Sequence, residues 1–158
     1  MKKTFPLITG VMIIGAVFAT AQDDPIAEYW NSVNDVTYRF TDKLQEVQPY
    51  LEWLETKDEA EREKRVWEID AFANDLRKIK ADFDSMPLPE GFGVSHGIIS
   101  SAMDLYITGV SRVAEGIRMN YTRIFNGGIG DIDMANDLMD QGYQSLANDM
   151  AAAGYMVE

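Results

Sequence analysis

Gly93-Val94-Ser95-His96-Gly97 has the G-x-S-x-G spacing of a serine-hydrolase elbow, in which a serine on a strand-to-helix turn is activated by a separate histidine. The surroundings do not suit that chemistry. A proline-rich stretch precedes the serine, and His96, the chain's single histidine, lies inside the motif where it cannot act as a distant base. Ser95 reads instead as part of the cap of a helix start, and the chain is expected not to be an enzyme.

His96 has a second possible use. With Met86, Met150 and Met156 it forms a set of soft and borderline donors, an imidazole and thioethers, that suits copper or a haem held without covalent attachment. These four are the only metal-ligand candidates, and no cofactor is assigned. A di-iron centre of the kind found in helical bundles needs two Glu-x-x-His pairs, and the chain has neither. With no cysteine there is no thiolate site, no redox pair and no covalent haem attachment. Asp131-Ile132-Asp133-Met134-Ala135-Asn136 opens like a calcium loop but has Ala135 at the third ligand position and lacks the central glycine and closing glutamate. Asp133, Asp137 and Asp140 follow one helical face and read as a solvated stripe. No glycine-rich loop leads into a lysine that could cradle phosphate.

The elements that must position such groups begin after residue 21. Lys2 and Lys3, an apolar stretch of 15 residues from Phe5 to Ala19, and the small-x-small Ala19-Thr20-Ala21 have the order of a cleavable secretory signal. The stretch falls short of the roughly 20 residues needed to span a bilayer. The reading is a signal peptide over 1–21 and one domain over 22–158, exported to the periplasm or the medium with no stable membrane anchor once the signal is removed. Cleavage leaves 26 acidic against 12 basic side chains, a net charge of −14 that repels nucleic acid and anionic lipid. The expected partner is a protein or small molecule of unspecified kind.

Throughout the mature sequence apolar residues recur at intervals of three and four, a helix-only pattern. The series Ile26, Tyr29, Trp30, Val33, Val36, Phe40, Leu44 and Val47 predicts a helix over 25–54, with Pro25 at its first position and a kink at Pro49. Thr56-Lys57-Asp58-Glu59 has the spacing of a capping box and opens a helix over 57–84, whose charged start pairs Asp58 with Arg62 and Glu61 with Arg65. Pro87 and Pro89 enforce a loop. A third helix is expected over 94–125, stopped by Asn126-Gly127-Gly128, and a fourth over 131–155 with Asp131 as its cap.

Long helices with short connections fold back on one another, so the expected fold is all-α, an up-down-up-down antiparallel four-helix bundle. Gly97, Ser101, Ala102, Gly109, Gly116 and Gly142 would let the last two helices approach closely. One end would gather the start of the first helix, the proline-rich loop, His96 and the C-terminus. The other would gather Trp53, Trp67, Tyr121 and Phe125 as core.

Overall fold

The protein, described from a computed structural model, is all-helical; residues 24–56 and 59–155 are described, apart from the side chains of 51–60 and 62–65. The helices are α1 (Pro25–Thr56), α2 (Glu59–Asp84), α3 (Gly93–Arg118) and α4 (Thr122–Ala152), and no strand occurs among the described residues. The segment read as a signal peptide, the capping box at Thr56–Glu59, the charge pairs at Arg62 and Arg65, Trp53 and Met156 all lie outside the described residues or side chains.

Helix α1 starts on Asp24. One oxygen of its carboxylate accepts from the amides of Ile26 and Ala27, and Pro25 takes the first position, where its missing N–H costs nothing. The other oxygen accepts from the hydroxyl of Tyr155, so the two ends of the described chain share one carboxylate. That hydroxyl holds the carboxyl of Asp24 below its usual range. The helix continues through Pro49 to Thr56 rather than ending near it.

The turn between α3 and α4 is not where the glycines predict it. Helix α3 stops at Arg118, and the chain reverses through Met119, Asn120 and Tyr121. Asn120 takes the left-handed conformation at φ 47°, its amide donates to the carbonyl of Ile117, and the amide of Tyr121 donates to that of Gly116. This is a Schellman closure with asparagine, the non-glycine residue that best tolerates the left-handed region. Helix α4 then runs unbroken from Thr122 across Asn126-Gly127-Gly128, and Asp131, expected as a cap, sits inside it and pairs with Arg112 at 2.7 Å.

Gly128, expected to end α3, is instead a close contact between α3 and α4, joining Gly109, Gly116 and Gly142, which were expected to serve that role. A β-carbon at Gly128 would lie 2.6 Å from the Gly109 carbonyl oxygen and 2.8 Å from the Val113 amide nitrogen. At Gly116 it would lie 2.4 Å from the Phe125 nitrogen, and at Gly142 2.6 Å from a side-chain carbon of Ile99. Only bare backbone permits this approach, so the helical cost of each glycine, up to about 1 kcal/mol, is offset by contact between α3 and α4. Gly97 takes no part: nothing stands within 4 Å of a β-carbon there.

The core draws on all four helices, including Trp30, Val33 and Phe40 of α1, Ile69, Leu76 and Phe83 of α2, Ile99 and Met103 of α3, and Leu146 and Met150 of α4. Ala153, just past the end of α4, is exposed. Cross-helix contacts fix how the faces meet. Arg39 pairs with Asp82, Lys43 with Asp75, Lys80 with Asp104, and Arg118 with Asp70. Phe40 packs on Tyr106 with ring centres 5.9 Å apart, and Tyr106 donates to the side-chain oxygen of Asn136. Burial raises the pKa of Tyr143, whose hydroxyl lies beside Thr37.

Candidate functional site

Ser95 is fully buried, and its hydroxyl donates to the Phe92 carbonyl at 3.0 Å within its own helix. The N-cap position of α3 falls to Phe92, which makes no side-chain cap, so Ser95 braces the first turn from within rather than capping it. The hydroxyl is closed off from solvent and committed to a backbone carbonyl.

His96 is brought to the start of α1 as expected. Its Nδ1 lies 3.0 Å from the Tyr29 hydroxyl, its ring stacks on Phe83 with centres 4.3 Å apart and planes 9° apart, and Tyr29 meets Phe92 edge to face. Burial, joined by the charge of Asp149, pushes the Tyr29 phenol well above its usual pKa. Burial lowers the pKa of His96; Asp84 opposes this and Lys80 adds to it. With the phenol protonated and the imidazole neutral the contact holds in either direction, Tyr29 donating to Nδ1 or an Nδ1–H donating to the phenol oxygen, according to which ring nitrogen carries the proton. Of the methionines considered with His96, Met86 packs against the core from the proline-rich loop and Met150 is fully buried. Among the described residues no three His, Asp or Glu side chains converge where a metal ion could be held.

The unfolded chain binds the imidazole proton more tightly than the folded one, so His96 contributes stability that is fully present above about pH 6.5 and is lost below it, as the pH falls through the lowered pKa of the folded protein. Proton resonances of the ring should titrate below 6.5, and a His96→Gln variant should lose that part of the pH dependence of its unfolding midpoint. A ring titrating above 6.5 contradicts the arrangement.

Two of the aromatic residues expected as core at the opposite end are instead exposed, Trp67 by 63% and Tyr121 by 48%, whereas Phe125 packs against the core. Tyr121 is outside because it follows the Asn120 turn rather than continuing α3.

A cavity lies where the catalytic motifs did not point. It is an open groove of about 480 Å³ between α2 and α3, with Ala81 and Ile107 among its apolar residues and charged or hydroxyl side chains around them. Lys80 is held between Asp84 and Asp104; partial burial works against its charge, but the two carboxylates outweigh it and its pKa is raised. Arg112 is held by Asp131. Arg77 differs: its guanidinium donates to the Asn74 side-chain oxygen at 2.7 Å and to the Ser111 hydroxyl at 3.0 Å, both neutral. The sequence did carry a sign of this, because Arg77 has Ala73, Asn74, Lys80 and Ala81 at the positions three and four residues away, where Lys80 has Asp84. A smaller cleft of about 210 Å³ separates Glu28, Tyr29 and Ser32 of α1 from Met86–Pro89.

No helix among the described residues is long and apolar enough to cross a membrane. A scan against models of known families and searches of curated proteins and of solved structures found no match to this chain.

Proposed function

We propose that this chain is exported, loses residues 1–21, and acts without catalysis as a binding module, an up-down-up-down antiparallel four-helix bundle that takes its ligand on the α2–α3 face. The bundle topology is supported by the ladder of contacts in which early residues of one helix meet late residues of the next: Arg39 with Asp82, Asp70 with Arg118, Gly142 with Ile99. Export is supported by the order of charged, apolar and small residues before Gln22.

The observation that carries the binding reading is the α2–α3 groove with Arg77 on its wall, a cation that has no carboxylate partner among the described residues. The chemistry of the other candidates favours binding over turnover. Ser95 is committed to the Phe92 carbonyl, and one nitrogen of His96 to Tyr29.

The test is to incubate the protein, purified from its own host, with a fractionated envelope extract and to identify what co-elutes, before and after prolonged contact. A component recovered chemically unchanged is expected, and conversion of it to product would overturn the reading. The mass of the purified protein tests export, since a mature chain begins at Gln22.

A further inference from the structure

We propose that the ligand of the α2–α3 groove is a small organic acid whose carboxylate seats on Arg77; this rests on the binding reading above. A guanidinium presents five N–H donors in a planar fork that matches a carboxylate with two parallel bonds. Arg77 spends two of the five on Asn74 and Ser111. The two neutral acceptors hold the fork in place without cancelling its charge, a preorganised arrangement that lowers the cost of binding.

The neighbouring cations are already compensated. Lys80 lies between two aspartates and Arg112 against Asp131. Arg77 is therefore the groove's available positive charge. Ala81 and Ile107 provide an apolar surface for the carbon skeleton of the acid, and the hydroxyl groups of Thr108 and Ser111 line the same groove. A space of about 480 Å³, open to solvent, suits a compact acid rather than a polymer. Of the three carboxylates in the groove, Asp84 and Asp104 are paired with Lys80, while Glu115 is exposed and forms no ion pair among the described residues. Its field should weaken the binding of any anion there.

Arg77 and Glu115 predict effects of opposite sign. Propionate and succinate are titrated into isotope-labelled protein from its own host at low ionic strength, with propionamide as the uncharged control, and amide resonances are followed. The acids should move amides along 77–84 and 104–115, and propionamide should not. Arg77→Gln should weaken acid binding by about tenfold or more, the order expected for loss of a charge-assisted bidentate contact. Arg77→Lys should recover it only in part, and Glu115→Gln should tighten it. Arg77 and Glu115 are both exposed, so neither change should disturb the fold, and an unaltered circular dichroism melt checks this. Arg123→Gln, on α4 outside the groove, should change nothing. The proposal is overturned if Arg77→Gln leaves acid affinity unchanged, if Glu115→Gln weakens it, or if propionamide binds as well as propionate. If an extract component still moves the groove amides while neither acid does, the acid assignment falls and the binding reading stands. If nothing moves them, both fall.

Discussion

Gly128→Ala should destabilise the protein by about 2–3 kcal/mol, while Gly130→Ala, two residues away in the same helix, should stabilise it by about 0.5–1 kcal/mol. A methyl group at Gly128 would meet the carbonyl of Gly109 and the amide of Val113, backbone atoms that can yield only if α3 and α4 move apart. At Gly130 nothing stands within 4 Å, so alanine only removes conformational freedom from the unfolded chain and improves helix propensity. Denaturant midpoints of the two variants, compared at equal slopes, read both signs at once. The contrast is specific to a helix that begins at Thr122. If residues 126–130 were a loop ending α3, the substitution at 128 would have no helix backbone to strike. Equal effects at the two positions would contradict the α3–α4 packing.

Phe83→Ala should cost more, about 3–5 kcal/mol, because it removes a fully buried ring and leaves a cavity that its neighbours cannot fill. Its second effect is on His96. Phe83 covers one face of the imidazole at a ring separation of 4.3 Å, and burial of the ring is the main cause of the lowered His96 pKa. Without the ring, water reaches the imidazole, and its titration should move upward towards 6.5. A variant that loses stability while His96 titrates unchanged would show that burial of the ring comes from elsewhere, chiefly Tyr29.

Residue spacing carried the helical content and most of the inner faces. In α1 Tyr29, Trp30, Val33, Val36, Phe40, Leu44 and Val47 are buried, all at positions where a three-and-four repeat places them. The repeat could not reveal where α3 ends. Asn120 and Asn126-Gly127-Gly128 are both plausible stops by local chemistry, and the glycine pair is the stronger on propensity alone. What decides is tertiary: Gly128 is needed against Gly109 and Val113, a contact invisible until the two helices are paired. The same displacement of the turn leaves Tyr121 exposed, since a residue read as one more inner position of α3 became the extended residue before α4.

The groove was less legible than the core for a related reason. Sequence motifs drew attention to Ser95 and His96, whose polar atoms are partly satisfied within the protein. Arg77 has no motif. Its distinction is the absence of an acidic residue one helical turn away, and that becomes informative only when Ser111 of the neighbouring helix is found facing it.

On the function proposed here, a ligand binds on the α2–α3 face and leaves unchanged. The most direct measurement is a map of amide resonance shifts in isotope-labelled protein on addition of the co-eluting envelope component, with the bound compound analysed afterwards. The expected result is a set of shifts concentrated on residues 77–84 of α2 and 104–115 of α3, with the compound recovered intact. Shifts confined to the cleft at Tyr29 and Met86, or to the exposed Trp67 and Tyr121, or recovery of the compound in altered form, would contradict it.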